Sequence, residues 1–200
     1  MASDQDIEYA EEQIGEARRR LQDVEARIEE ERSFMLGAVV NDELEVITNE
    51  EMREEYQKNP DAEFVHLGQS SKSNDHLLEA HIQNIIIDCQ MCIEISAKSM
   101  FKLVGKDHPF EHGISFNDGR TQGFYHEIPD DYSEKDDVIR VIFLTQFWNA
   151  FYELAKYGAP ELNMRPESIF TTDDGSRAIS DAHFCVKEAE ELLEHVKEEQ

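Results

Sequence analysis

Positive charge is what this chain has least of. Nineteen Lys and Arg residues stand against 45 Asp and Glu among 200 residues, a formal net charge of −26 at pH 7. That deficit argues against a basic groove for a nucleic-acid backbone, because phosphate contacts rest on clustered Lys and Arg. Cysteine is scarce and odd in number: Cys89, Cys92 and Cys185 cannot build a disulfide scaffold. No run approaches the roughly 18 apolar residues that read as a membrane span. The N-terminus, MASDQDIEYAEEQ, is acidic and lacks the apolar stretch of a signal peptide. A Gly-rich phosphate loop, a Gly-x-Ser-x-Gly elbow and a nucleophile–base pair at diagnostic spacing are all missing. These absences predict a soluble, cytoplasmic protein that carries no cofactor.

What is present is acid, spread along the whole chain over an otherwise globular pattern with 40% apolar residues. Two hundred residues usually make one domain and can bury a real core. Even acid over such a pattern predicts a protein from a high-salt cytoplasm, such as that of a halophilic archaeon. There molar salt shortens the Debye length to about 3 Å and like charges stop repelling strongly. The alternative is an acidic interaction protein that repels nucleic acid.

Hydrophobic spacing sets the organisation. Ile7, Ala10, Ile14, Ala17, Leu21, Val24, Ile28 and Met35 step by three and four, with Glu31 the one interruption. An a/d repeat over four heptads predicts a long helix packed along a narrow seam, within residues 1–36. Residues 37–75 break the pattern as an insert. "GAVVNDELEVIT" reads as a short strand or hairpin arm and "NEEMREEYQ" (49–57) as a short helix, with Pro60, Gly68 and "GQSSKSND" as connecting loop. From Leu77 to Val104 apolar residues cover most of the helical circumference, which predicts a central helix ended by Gly105. Residues 105–135 read as a polar loop. Helices follow at about 136–157 and 176–198, the latter with a stripe of Ile179, Ala182, Val186, Ala189, Leu193 and Val196. The expected fold is all-α: an up-and-down helical bundle with a long N-terminal heptad helix, its core in 76–200, as one domain.

Cys89-Gln-Met-Cys92 has the spacing of a zinc or redox pair, but no second ligand pair accompanies it and it lies mid-helix in an apolar stretch. Two small buried side chains are the simpler reading. His108, His112 and His126 gather beside Asp107, Glu111, Asp118 and Glu127, yet "HPFEH" is not the His-Glu-x-x-His zincin order. No metal site is expected. Phe147, Trp148, Phe151 and Tyr152, at helical spacing, read as core rather than a base-stacking surface.

The stretch "CQMCIEISAKSMFKLVGKDHPFEHGISF" resembles the second helix and following loop of the HEPN superfamily (higher eukaryotes and prokaryotes nucleotide-binding domain). Glu94, Lys98, Leu103-Val104-Gly105 and His112-Gly113-Ile114 fit the family's pattern. "ELAKYGAP" looks like the Ala-Arg-Tyr-Pro stretch closing its third long helix, with Lys156 where Arg is usual, and "RAISDAHFCVKEAEELLEHV" looks like its last helix. The resemblance covers about 75–197. It implies an HEPN-like bundle, a homodimer, and ligand-binding roles for Glu94, Lys98, His112 and Tyr157. It also implies a nucleotide- or partner-binding module of toxin–antitoxin type, with a minimal nucleotidyltransferase as the partner.

The family also includes metal-independent RNases that use an Arg, then four to six residues, then a His. Arg177 with His183 has that spacing, and Arg120 with His126 is a weaker alternative in the loop. In such an RNase Arg177 would stabilise the phosphate and His183 would act as general acid or base on the ribose 2′-hydroxyl. Ala178 replaces the polar residue that commonly follows the family's Arg. A six-residue step in a straight helix also leaves the two side chains about 120° apart. The acidic chain further disfavours RNA, so the binding module is the expected function.

Overall fold

The computed structural model describes residues 2–33, 37–40, 43–46, 63–65, 82–108, 114 and 119–199. The heptad segment is one continuous helix, α1 (Asp4–Ser33). Ser3 opens it with a reciprocal cap: the Asp6 backbone N–H donates to Ser3 Oγ, and Asp6 Oδ2 accepts from the Ser3 hydroxyl at 2.6 Å. Ile7, Ala10, Ile14, Ala17, Leu21 and Val24 are buried and Ile28 is partly so. The predicted seam therefore holds; Met35 and the side chain of Glu31 lie outside the described residues.

The insert carries three short strands, β1 (Gly37–Val40), β2 (Glu43–Val46) and β3 (Glu63–Val65). They form an antiparallel sheet in the order β2-β1-β3, with Gly37 opposite both Val46 and Val65. The expected hairpin arm is β1–β2, whereas β3 falls where the sequence read as loop. The short helix expected at 49–57 lies outside the described residues.

Helix α2 (Ile82–Leu103) is the centre of the bundle. Ile86, Cys89, Ile93, Ala97, Met100 and Phe101 are fully buried, as expected for a helix apolar nearly all round. Each fully buried large side chain here contributes about 1.5–3 kcal/mol. Gly105, at φ 71°, ends the helix: its N–H donates to the Lys102 carbonyl at 2.9 Å and the next N–H, of Lys106, to that of Phe101 at 2.8 Å. This is a Schellman cap, whose left-handed position glycine fills without a Cβ penalty.

The segment read as loop from 105 to 135 contains a helix, α3 (Gly119–Glu127). Two glycines in nine residues give it little intrinsic propensity. Packing supplies the stability instead: the Phe124 ring stacks on Phe101 of α2 with centroids 4.2 Å apart. Helix α4 (Lys135–Tyr157) follows, with Asp136 and Asp137 in its first turn. It ends at Gly158, where φ is 71° and an added Cβ would come within 2.4 Å of the Met164 carbonyl oxygen. After two short 3-10 turns comes α5 (Thr172–Glu198), one turn longer than expected. Its start is fixed by Thr171, whose hydroxyl oxygen accepts from the Asp174 N–H while Asp174 accepts from the Thr171 N–H. Gly175 lies inside this helix where α2 comes close: a Cβ there would meet Ile82 Cδ1 at 2.8 Å.

Helix α2 packs on α5, α1 and α4; α5 also touches α1 and α4. Contacts fix the directions. Arg27 pairs with Asp88, and Lys102 with Asp6 at 3.5 Å, so α1 and α2 are antiparallel. Trp148 Nε1 donates to Asp181 Oδ2 at 2.9 Å, and the Phe151 ring meets Phe170 just before α5. Helices α4 and α5 are therefore antiparallel too. The long helices form an all-α bundle with up-down-up-down order, as predicted. Along the α1–α5 groove, Glu11 pairs with Lys197 at 2.6 Å, Arg18 with Glu190, and Glu25 with His183 at 2.8 Å. Seven residues up α1 match seven residues down α5.

Candidate functional site

Helix α4 is apolar on two opposite faces. Val138, Val141, Ile142, Thr145, Trp148 and Ala155 are buried toward α2 and α5. On the other side Phe143 is 40% exposed and Tyr157 63%, and Phe147 and Leu154 lie between them, only partly covered. With Ala150, these residues step by four, three, four and three, the spacing of a second helix–helix seam. Past the helix end Leu162 is 71% exposed and Met164 40%. Cations sit on these rings: Arg140 Cζ is 4.9 Å from the Phe143 centroid, Arg177 Cζ is 5.0 Å from that of Phe147, and Lys156 Nζ is 5.3 Å from that of Tyr157. Each such contact is worth about 0.5–1 kcal/mol at an exposed site. On a chain so acidic, one aromatic face thus gathers basic groups.

Of the four aromatics read as core, Trp148 is buried, while Phe147, Phe151 and Tyr152 are only partly covered. The exposed half of the seam was missed by reading. The signal was the parallel series Arg140–Phe147–Leu154 and Phe143–Ala150–Tyr157, seven residues apart, lying beside the core positions.

Arg177 and His183 are held by different neighbours. Arg177 lies over Phe147 of α4 and 3.8 Å from Asp181. His183 Nε2 is hydrogen-bonded to Glu25 of α1 at 2.8 Å, beside a shallow hollow of about 240 Å³ that includes Leu21, Val186 and Lys187. Within one chain the structure does not bring the pair together. Arg120 and His126 lie on α3 rather than in a loop; both are exposed, and His126 borders a hollow with Thr121, Tyr125 and Ile139.

Glu94 and Lys98 do meet. Glu94, buried, accepts from Lys98 Nζ at 2.6 Å on one oxygen and from Gln90 Nε2 at 2.9 Å on the other. Residues at i, i+4 and i+8 of a helix share a face, so both of these contacts lie within α2. Tyr157 belongs to the α4 face, and His112 lies outside the described residues.

Cys89, Cys92 and Cys185 are buried free thiols. Burial pushes the Cys92 thiol up to about 12 and also raises Cys89 and Cys185 well above the ordinary thiol range, chiefly by desolvation of the thiolate. Thiols so reluctant to ionise are poor nucleophiles. Among buried acids, Glu188 is 2% exposed; one oxygen accepts from Lys187 Nζ at 3.1 Å and the other has no hydrogen-bond partner among the described residues. Burial raises its carboxyl above the ordinary glutamate range, with Lys187 opposing.

Comparison of the chain with protein-family models, curated proteins and solved structures finds no match.

Proposed function

We propose that this chain is a helical partner-binding module of HEPN-like type that pairs with a second copy of itself through the outward face of α4. The observation that carries this reading is the second apolar stripe, Phe143–Phe147–Ala150–Leu154–Tyr157, whose Phe143 and Tyr157 stand exposed and whose Phe147 and Leu154 are only partly packed on the core, on a helix whose opposite face is already buried. A symmetric pair would bury the same stripe from both copies, as two-fold interfaces do. Aromatic and Arg side chains are the types enriched in the centres of such interfaces. The separate neighbours of Arg177 and His183 weigh against an endoribonuclease that works within one chain. Following the sequence resemblance, the second protein such a pair would hold is a minimal nucleotidyltransferase.

Sedimentation at high KCl tests the pairing. The full chain should run as a dimer, and Phe143→Glu with Tyr157→Glu should run as a monomer with an unchanged helical circular-dichroism spectrum. A wild-type chain that stays monomeric at tens of micromolar would remove the reading.

A further inference from the structure

At the end of the bundle where α5 finishes, three side chains converge that belong to no site described above. Asp131 comes from the link between α3 and α4, His195 from the last turn of α5 and Glu199 from the C-cap just past it. One potential ligand atom from each lies within 4.8 Å of the others. His195 and Glu199 share a helix face because they are four residues apart. Asp131 is brought over them by the turn at Pro129, where the Tyr132 N–H donates to the Pro129 carbonyl at 3.2 Å.

The geometry at His195 is incomplete as a hydrogen-bonded pair. Nε2 is 3.6 Å from Asp131 Oδ1 and 3.9 Å from Glu199 Oε1. Both distances exceed the 2.7–3.2 Å of an N–H···O bond. The nitrogen is nonetheless shut off from solvent and has no hydrogen-bond partner among the described residues. Leaving such a group unpaired is destabilising. The ring is seated by Tyr132, a buried neighbour whose ring centroid is 5.2 Å away. Nε2 thus sits fixed beside two carboxylates, at a separation that suits an ion between them. Metal–ligand lengths of about 2.0–2.2 Å in a tetrahedral site put the ligand atoms roughly 3.3–3.5 Å apart. From His195 the two carboxylates stand only a few tenths of an ångström too far, and the closing adjustment falls to Asp131 and Glu199, whose side chains are 66% and 47% exposed.

We propose that Asp131, His195 and Glu199 form a binding site for one divalent transition-metal ion, with zinc as the type. One imidazole and two carboxylates suit borderline ions; calcium and magnesium prefer all-oxygen shells. Glu134, Glu191, Glu194 and Glu198 border the adjoining hollow without belonging to the ligand set. On the other side Asp131 and Glu199 edge a hollow of about 340 Å³ floored by Leu103, Val104 and Val196, which leaves the ion an open coordination position. The bound ion ties the α3–α4 link to the end of α5. This site departs from the expectation of no metal, which rested on Cys89, Cys92 and the histidines between 108 and 126.

Calorimetric titration of zinc into the EDTA-stripped full chain at high KCl tests the proposal, since salt suppresses loose binding to the acidic surface. One ion per chain should bind, and the melting temperature should rise with it. His195→Gln and Glu199→Gln should each weaken binding by at least about ten-fold, while Glu194→Gln, which removes the same charge from a neighbouring position, should bind as the wild type does. Glu199 is exposed at the C-cap of α5, so its variant tests ligation without disturbing the core. Absence of a saturable site, retention of full affinity in either ligand variant, or an equal loss in Glu194→Gln would overturn it.

Discussion

His183 of α5 and Glu25 of α1 meet at 2.8 Å across the groove between their helices, while Arg177, six residues earlier, lies over Phe147 of α4. The two residues that a ribonuclease reading would join thus serve two different helix contacts. Purified protein incubated with mixed RNA at high KCl should give no cleavage that depends on them. Loss of a wild-type cleavage activity in both Arg177→Ala and His183→Ala would restore the enzyme reading. His183→Ala should cost at most about 1 kcal/mol of stability, the range of an exposed ion pair.

Stability should rise with salt. A formal charge of −26 opposes the compact state at low ionic strength, and added salt screens that repulsion. Thermal melts from 0.1 to 3 M KCl should show a rising midpoint. A flat or falling one would favour the acidic interaction protein over the high-salt cytoplasm.

Glu188→Gln should stabilise the fold at neutral pH. Its carboxyl is raised by burial in the folded chain, so between the unfolded and folded pKa values the native state binds more protons. Stability contributed at this site is therefore greatest below the ordinary glutamate range and falls as pH rises through the folded value. Gln carries no charge to bury. The variant should melt higher than wild type at pH 7, by about 2–4 °C for each kcal/mol relieved, and the difference should shrink toward pH 4. A lower midpoint at pH 7 would mean the Lys187 pair outweighs desolvation.

Cys89→Ser with Cys92→Ser should lower stability by about 1–3 kcal/mol for each hydroxyl left unpaired in the core. Zinc titration of the folded variant should match the wild type. A weaker zinc isotherm would show that the thiols ligate after all.

Gly158→Ala should destabilise by about 1–3 kcal/mol, because φ there is 71° and the new Cβ would press on the Met164 carbonyl. Gly123→Ala meets nothing within 4 Å and serves as the control in the same denaturant melts.

The long helices were legible because burial repeats along them: the Ile7-to-Val24 seam and the all-round apolar α2 each announce their partners. Helix α3 was not legible, since a non-local ring stack between Phe124 and Phe101 supports it. The early start of α5 was written in Thr171 and Asp174, three residues apart, but Gly175 hides it until Ile82 is seen against it. The α4 face was half legible: its spacing is in the sequence, but only the packing tells which apolar stripe is covered. Residues that meet from distant segments, such as Asp131 with His195, carry no periodic signal at all.

The ion pairs between α1 and α5 alternate in sign: acid to base at Glu11–Lys197, base to acid at Arg18–Glu190, acid to imidazole at Glu25–His183. An a/d repeat by itself cannot tell one heptad from the next, because a slide of seven residues puts apolar side chains on apolar side chains again. The alternation can. Sliding α1 one heptad one way sets Glu11 against Glu190; the other way sets Arg18 against Lys197 and Glu25 against Glu190. Each pair adds little to stability where it stands, yet together they make every neighbouring alignment of the two helices repulsive.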